Sequence, residues 1–204
     1  MTPDFIYLAS QSPRRRELLE LMGVRYELLL PDADEDPEGI EALLPGEAPA
    51  SYVQRITQLK LDAALARLKR RSLPAAPVLC SDTTVALGRK IFGKPRNEKD
   101  AARMLAELAG HTHRVLTAVA IGTAGTSRKR VQALSISRVT FAPMSRRQIE
   151  TYIATGEPMG KAGAYAVQGQ AAMFISRISG SYSGIMGLPV FETAQLLQSC
   201  KKTF

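Results

Sequence analysis

Residues 5–23, FIYLASQSPRRRELLELMG, join a short apolar run to a segment that resembles the start of a helix. Ser12 and Pro13 occupy the N-cap and first helical positions that these residue types favour. Apolar side chains follow at helical spacing, and Gly23 is a typical stop signal. The stretch therefore predicts a strand, a turn and a helix, which together are an opening unit of an α/β fold.

Further apolar and β-branched runs predict strands, which alternate with helices early in the chain and cluster late. These runs are YELLL (26–30), PVLCSDTTVAL (77–87), RVLTAVAIGT (114–123), VQALSISRVTF (131–141) and AAMFISRI (171–178). The third and fourth flank a turn-like segment, which favours a hairpin. This order predicts an α/β fold with a mixed central sheet, in one domain covering residues 1–204.

Boundary residues predict the remaining helices. Two begin with the S-x-x-Q pattern of a capping box, one lies between an asparagine cap and a glycine stop, and the last begins at a proline. The residues are Ser51 with Gln54, Ser145 with Gln148, Asn97 with Gly110, and Pro189. The first of these helices is predicted over 51–69, and GSYSGIMGLP (180–189) is predicted to be a loop.

The charge balance is basic, because 27 Lys and Arg face 19 Asp and Glu and give a formal charge of +8. A nucleotide, nucleic acid or anionic lipid would fit such a surface. Cys80 and Cys200 are far apart and have no zinc-site spacing. No signal-peptide pattern or apolar run of membrane-spanning length is present, so we expect a cytoplasmic protein without a membrane partner.

Three consecutive arginines occupy the first turn of the predicted first helix, where the helix dipole disfavours cations. Arg14 and Arg15 lie three or four residues before leucines of the apolar stripe, whereas Arg16 lies four before Glu20 and is expected to form a surface ion pair. A phosphate at this turn would gain free backbone N–H groups and two guanidinium groups. A basic surface turn is the alternative, and the motif alone does not decide between them.

Two charged residues interrupt apolar patterns. Lys60 falls within one apolar stripe of the long helix, although a second stripe with Leu61, Leu65 and Leu68 would turn it outward. Asp82 interrupts the run VLCSDTTVAL, and burying a carboxylate costs several kcal/mol unless cations, a metal or donors accompany it. The β-branched residues after Asp82 argue against a turn and favour a functional role.

These residues together suggest phosphoryl chemistry. Arg14, Arg15 and Lys60, with Lys94 from the turn IFGKPR, would neutralise a triphosphate, and Asp82 would hold Mg²⁺ or orient water. The P-loop and dinucleotide-binding glycine patterns are absent from the sequence. The histidines of GHTHRV lack a third ligand, so no metal is assigned to them.

The ordered segments LASQSPRRREL, SDTTV, FGKPR, AGHTHRVLTAVAI, GEPMGKAGAYAVQG and GSYSGIMGLP resemble the Maf family of nucleoside-triphosphate pyrophosphatases. The resemblance runs from about residue 6 to residue 197. It implies an inosine-triphosphatase-like α/β fold with two lobes around a cleft, a divalent metal (Mg²⁺ or Mn²⁺), and a homodimer.

The resemblance also implies roles for individual residues. Asp82 matches the proton acceptor and is a candidate metal ligand, and Glu35 of the acidic loop is the candidate for a further metal or water ligand. The phosphate side would be lined by Ser10, Arg14, Arg15, Lys60 and Lys94. The sequence leaves open whether Asp82 is the base or a ligand.

Arg15, Thr83 and Gln168 match positions that distinguish subgroups of the family. Their form here is similar to the subgroup that hydrolyses dTTP and UTP, and the amide of Gln168 suits the donor and acceptor edge of a pyrimidine. Ser81 departs from the alanine that is usual in the family. Modified nucleotides such as 5-methyl-UTP and pseudo-UTP are an alternative substrate class.

A nucleic-acid-binding or cell-division regulatory protein is the alternative from another functional class. Its sequence mark would be a continuous basic stripe or a platform of aromatic side chains. Here the basic residues are dispersed and aromatic residues make up 6% of the chain. The sequence therefore favours an enzyme, with no specific nucleic-acid partner expected.

Overall fold

The structure, a computed structural model, describes residues 4–33, 35, 39–123 and 130–201. Its strands are Ile6–Leu8 (β1), Tyr26–Leu28 (β2), Val78–Leu87 (β3), Lys90–Phe92 (β4), Thr112–Gly122 (β5), Arg130–Phe141 (β6) and Ile175–Ser179 (β7). Its helices are Pro13–Leu21 (α1), Pro49–Arg70 (α2), Glu98–Leu108 (α3), Arg146–Ile153 (α4), Tyr182–Met186 (α5) and Val190–Lys201 (α6).

All the described strands form one sheet with the order β2-β1-β3-β5-β6-β7, and β4 pairs with β3. β1 runs parallel to β2 and β3, whereas the pairs β3–β5, β5–β6 and β6–β7 are antiparallel. The predicted mixed sheet with flanking helices is confirmed, as is the pairing of β5 with β6. Residues 124–129 of the predicted turn between them lie outside the described residues.

The edge of β3 that pairs with β1 and β4 has a gap, which is a short stretch where neither strand is paired with it. β1 pairs with β3 only as far as Leu79, and β4 pairs with it only from Val85 onward. Between these points β3 is paired with β5 on one side alone. Since β1 ends at Leu8 and α1 begins at Pro13, the first turn of α1 lies beside the gap.

The apolar core is divided between the two ends of β3. Two clusters around β1, together called the first core, contain Leu61 and Val78 next to α2 and Leu8 and Leu19 next to α1 and α6. A second core contains Val85, Phe92, Leu105, Phe141 and Tyr165, packed with α3 and α4. The gap in the β3 edge lies between these two cores.

Three helix boundaries agree with the sequence prediction. Asn97 Oδ1 accepts a hydrogen bond from the Asp100 N–H at 2.9 Å and caps α3. Ser145 and Gln148 form the predicted capping box of α4. Gly23 follows α1 with a φ of +65°, a conformation that glycine adopts without strain.

The predicted capping box at Ser51 is wrong. α2 begins at Pro49 with Ala48 as its N-cap, and the Gln54 amide donates to the Ala50 carbonyl oxygen instead. A proline at the first helical position costs no hydrogen bond, because the first N–H groups of a helix have no partner within it. The helix consequently starts earlier than the serine pattern indicates.

Two predictions in the C-terminal part need correction. The predicted strand 171–178 is a 3-10 turn over Gln170–Phe174, followed by β7. Glu157 Oε2 accepts the Gln170 N–H at 2.9 Å, so this backbone is bonded to a side chain rather than to a strand. The predicted loop 180–189 contains α5, which the Ser181 side chain caps. β4 was not predicted.

No described helix has both the length and the apolar character needed to cross a membrane.

Candidate active site

Asp82 lies in the gap of the β3 edge, opposite Ala118 of β5. Alternation along the strand directs Val78, Cys80 and Asp82 to the face covered by α2, and Ser81 and Thr83 to the other face. The Asp82 side chain is 13% exposed, so it needs a counter-charge.

Lys60 of α2 supplies that charge. Its ammonium Nζ lies 2.6 Å from Asp82 Oδ1 and 2.7 Å from Glu41 Oε1. Burial alone would lower the pKa of Lys60, but the charges of Asp82 and Glu41 outweigh it, so the pKa is raised. α2 buries Val53 and Ile56 of one candidate stripe and Leu61 and Leu68 of the other, which places Lys60 toward the sheet.

Arg15 joins three parts of the chain at the first turn of α1. Its Nε donates to the Gly187 carbonyl oxygen at 2.8 Å, and its Nη1 donates to Ser10 Oγ at 2.9 Å. Burial lowers the pKa of Arg15, and the nearby charge of Asp82 opposes this shift. Ser10 is thus bonded to Arg15, and Lys60 to Asp82, on either side of the gap.

Ser81 bonds to the segment that contains α5, and Thr83 is linked to that segment through Thr117. Ser81 Oγ lies 2.8 Å from the Ala118 carbonyl oxygen and 3.0 Å from that of Gly187. Thr117 Oγ1 donates to the Gly184 carbonyl oxygen at 2.7 Å and lies 3.0 Å from Thr83 Oγ1. Because Thr117 has a single hydroxyl hydrogen, Thr83 is the donor of their shared bond, and its remaining lone pair can accept a hydrogen bond.

Arg14 occupies the same turn and faces another direction. Its buried Nε has no hydrogen-bond partner among the described residues. Burial lowers its pKa, and the carboxylates of Glu17 and Glu157 oppose the shift. A buried donor without a partner is costly, so the position is suited to an incoming anion.

Lys94 and Gln168 belong to the part of the molecule around the second core. Lys94 is exposed two residues after Phe92, which pairs with Val85 of β3. Gln168 is exposed directly after the buried residues 163–167. These two residues therefore lie beyond the group that directly surrounds Asp82.

Glu35 is held by other cations than those near Asp82. It accepts hydrogen bonds from Arg67 Nε at 2.9 Å and Arg70 Nη2 at 2.6 Å. The hydrogen bond from Arg67 is the main cause that lowers the pKa of Glu35 to about 2. Arg67 is buried and also donates to the Leu29 carbonyl oxygen, so this ion pair fastens the loop after β2 to α2.

Arg16 does not form the predicted ion pair with Glu20. Glu20 Oε1 instead accepts a hydrogen bond from the Tyr26 hydroxyl at 2.8 Å. β2 lies beside β1, which brings Tyr26 within reach of α1.

Sequence reasoning missed Glu41. It lies in a 3-10 turn over Gly39–Glu41, and its backbone carbonyl accepts a hydrogen bond from the Tyr52 hydroxyl at 3.0 Å. Glu38 and Glu47 stand close to it in the sequence, and no spacing pattern distinguishes Glu41 from them.

The carboxylates of Asp82 and Glu41 are part of the ligand set that a hard divalent cation needs. Asp82 and Glu41 offer carboxylate oxygens, which Mg²⁺ and Mn²⁺ prefer, on either side of one ammonium group. Among the residues the structure describes, no cluster of three acidic, histidine or cysteine side chains is present. Mg²⁺ commonly keeps several waters and binds through one or two carboxylates and substrate phosphates, so this set fits it.

The family model described as Maf-like protein matches residues 5–200. A protein named dTTP/UTP pyrophosphatase from Albidiferax ferrireducens is 77% identical over 196 residues, which is 96% of each chain. One of the same name from Polaromonas sp. is 66% identical over 196 residues, again 96% of each chain. A solved structure of a HAM1 protein from Coxiella burnetii is 13% identical, covers 71% of this chain and 75% of its own, and has a TM-score of 0.44, too low to carry an argument.

Proposed function

Because the chain belongs to the family of Maf-like proteins, we propose that it hydrolyses dTTP and UTP to the nucleoside monophosphate and pyrophosphate. The observation that best supports this reaction is the position of Asp82 at the gap of the β3 edge, bonded to Lys60 and close to Arg15. A carboxylate placed among cations can activate water next to a bound polyphosphate.

In the proposed reaction, water attacks the α-phosphorus and Asp82 accepts its proton. The new bond joins the water oxygen to the α-phosphorus, and the bond from that phosphorus to the bridging oxygen breaks. Pyrophosphate leaves with the bonding electrons. Lys60 and Arg15 lie where they can stabilise the negative charge that develops on the phosphate oxygens.

Asp82 has the oxygen atoms needed for this task. Oδ1 is bonded to Lys60, and the carboxylate carries a second oxygen, Oδ2. We infer that Oδ2 binds the attacking water or a cation. Lys60 then acts as a positioning residue for the carboxylate as well as a source of positive charge.

We propose that Asp82 and Glu41 hold the divalent cation, with Glu41 in the role expected for Glu35. The cation would lower the pKa of bound water and neutralise phosphate charge. Glu35 is occupied by two arginines, whereas Glu41 shares Lys60 with Asp82. The preference for Glu41 rests on this difference.

The hydrogen bonding of Thr83 supports a pyrimidine as the base of the proposed substrate. Thr83 donates its hydroxyl hydrogen to Thr117, so it presents an acceptor to the substrate. Uracil and thymine carry an N–H donor between two carbonyl groups, whereas cytosine has an acceptor at that position. We infer that Thr83 favours uracil and thymine, with Gln168 as the second specificity residue.

Pyrophosphate release from a panel of triphosphates tests the function directly. The panel contains dTTP, UTP, dCTP, ATP, GTP, 5-methyl-UTP and pseudo-UTP, each with Mg²⁺ or Mn²⁺. We expect dTTP and UTP to be preferred among the standard nucleotides. Higher kcat/KM for 5-methyl-UTP or pseudo-UTP would favour the alternative of modified substrates.

Asp82→Asn should lower kcat by about 10²- to 10⁴-fold, the usual range for loss of a general base. Asp62→Asn is the matched control, because Asp62 is on the outer side of α2 and pairs with Arg130. Wild-type turnover in Asp82→Asn would contradict the mechanism. Tight, steeply salt-dependent DNA binding without hydrolysis would contradict the enzyme proposal itself.

The homodimer expected from the resemblance remains a proposal. Light scattering on the protein in solution measures its mass directly. A mass near 22.2 kDa, which is that of one chain, would contradict the homodimer.

A further inference from the structure

Lys161 is a cation without a carboxylate partner. It lies in the segment GKAG, and its Nζ donates to the Met159 carbonyl oxygen at 3.2 Å. Among the described residues it forms no ion pair, although it is only partly exposed. A partly buried ammonium that is bonded to one neutral oxygen keeps hydrogen-bond donors for a further group.

Arg14 is one of the charged groups that act on Lys161, and it has the same sign of charge. Burial lowers the pKa of Lys161, and the charge of Arg14 lowers it further. Arg14 also has a buried Nε without a hydrogen-bond partner in the described chain. Two partly buried cations that act on each other are stabilised when an anion binds both.

The one carboxylate that acts on both cations is already engaged. The charge of Glu157 reaches Arg14 and Lys161. Its oxygens, however, accept hydrogen bonds from the Tyr152 hydroxyl at 2.7 Å and from the Gln170 N–H at 2.9 Å. Glu157 therefore fixes the segment after Gly169 and forms no ion pair with either cation in the described part of the chain.

The backbone fixes Lys161 on the side of the gap opposite α1. The Gly163 N–H donates to the Gly93 carbonyl oxygen at 3.0 Å, next to Lys94. Gly163 has a φ of +71°, and a Cβ atom there would lie 2.9 Å from a methyl group of Val85. Glycine is required at this position, and its contacts place Lys161 near the edge of β3.

The backbone contacts also give an order along the site. Gly163 packs against Val85, which lies three residues beyond Asp82 along β3. Lys161 therefore lies toward the end of the gap next to the second core, whereas Arg14 belongs to the first turn of α1. A triphosphate with its α-phosphorus at Asp82 would extend its terminal phosphates between them.

We propose that Lys161 is a further phosphate-binding residue, which together with Arg14 binds the β- and γ-phosphates of the substrate and then the pyrophosphate product. This inference rests on the proposed function. The two side chains act from opposite sides of the gap, so the terminal phosphates bridge the parts of the protein around the first and second cores.

Pyrophosphate binding, measured by titration calorimetry on the intact protein with Mg²⁺, tests the inference. We expect Lys161→Met to weaken pyrophosphate binding roughly 10- to 100-fold, the loss typical of a hydrogen bond to a charged group. Lys161→Arg should recover most of the affinity. Lys69→Met is the matched control, since Lys69 is an exposed lysine of α2, and it should bind pyrophosphate like the wild type.

Titration with UMP distinguishes phosphate recognition from general damage. UMP carries only the α-phosphate, so its affinity should be the same in the wild type and Lys161→Met. In kinetics with UTP, KM should rise more than kcat falls. Unchanged pyrophosphate affinity in Lys161→Met, or an equal loss for UMP, would overturn the inference.

These outcomes are separable from failure of the proposed function. Pyrophosphate affinity is measured without turnover, so a protein that does not hydrolyse dTTP or UTP would still report on Lys161. Thermal unfolding of each variant verifies that the binding data refer to folded protein.

Discussion

At the scale of single residues, the site depends on which partner each charged side chain has found. Asp82 and Glu41 share the ammonium of Lys60, whereas Glu35 is bonded to Arg67 and Arg70. Acidic residues of the same type thus have different environments. Their substitution should affect different properties of the protein, although the sequence alone places them in one acidic region.

Glu41→Gln and Glu35→Gln should separate activity from stability. We expect Glu41→Gln to lower kcat/KM at limiting Mg²⁺ by about 10- to 100-fold, in line with the loss of a group that binds the metal or its surroundings. Glu35→Gln should instead lower the free energy of unfolding by about 1–3 kcal/mol at pH 7, because it weakens a largely buried ion pair. Urea unfolding and a metal titration of activity measure the two effects.

The pH dependence gives a second check on Glu35. Its folded-state pKa of about 2 lies below the ordinary 4.5, so its contribution is present above pH 4.5 and is lost as the pH falls toward 2. The difference in unfolding free energy between Glu35→Gln and wild type should therefore shrink over that range. A constant difference, or an activity loss equal to that of Glu41→Gln, would contradict the assignment.

Arg15→Lys and Arg16→Lys should differ in their effect on kcat/KM, although both keep the positive charge. Arg15 bonds Ser10 and Gly187 at once through a planar guanidinium, and a lysine ammonium does not reproduce that geometry. We expect Arg15→Lys to lower kcat/KM for UTP by about 10- to 100-fold. Arg16→Lys and Arg16→Ala should stay near the wild type, and a large loss in either would contradict the division of labour within this turn.

At the scale of elements, the segment around α5 is hydrogen-bonded to α1, β3 and β5 next to the site. The Gly187 carbonyl oxygen lies within hydrogen-bond distance of Arg15 and Ser81, and the Gly184 carbonyl accepts from Thr117. Sequence patterns predicted a loop here. The short helix forms because the Ser181 side chain accepts the Gly184 N–H at 3.0 Å.

Gly187→Ala should impair the site as well as the fold. The φ of +120° at Gly187 is unfavourable for alanine, and the new Cβ would lie 3.6 Å from both Arg15 Nε and Thr83 Oγ1. We expect a loss of about 1–3 kcal/mol in unfolding free energy and a higher KM for dTTP and UTP. Gly88→Ala is the control for backbone strain, because φ is +59° and no atom lies within 4 Å of its added Cβ. An unchanged KM in Gly187→Ala would count against the role of this segment.

At the scale of the whole molecule, the second core supports the far side of the site. His113 is buried there, its Nε2 lies 2.8 Å from the Tyr165 hydroxyl, and its ring packs edge-on against Phe141. These contacts are those of a packing residue. Its Nδ1 has no partner among the described residues.

His113 should make the fold sensitive to mild acid. Burial lowers its pKa to about 4 from the ordinary 6.5, so the folded state disfavours the protonated ring. Its stabilising contribution is complete above pH 6.5 and decreases as the pH falls toward 4, by up to about 3 kcal/mol. Urea unfolding of His113→Gln should lack this decrease. His111→Gln, at an exposed position, is the control and should follow the wild type; the same slope in His113→Gln would contradict the prediction.

Local patterns were sufficient for much of the molecule. The strand, turn and helix of residues 5–23, the β-branched run containing Asp82 and the caps at Asn97 and Ser145 depend on near neighbours in the chain. The same holds for the basic turn with Arg14 and Arg15. These features follow from the sequence because the favourable backbone conformation and the nearby side chains agree.

Tertiary contacts decided the rest. Glu41 and not Glu35 lies beside Lys60 because α2 and the loop before it pack on the sheet, which leaves no trace in local spacing. Residues 170–174 form a 3-10 turn because Glu157 accepts hydrogen bonds from the N–H groups of Gln170 and Ala171. The sequence by itself determined which residues carry charge next to β3, and only the folded chain decided which charges meet, since ion pairs form between groups distant in sequence.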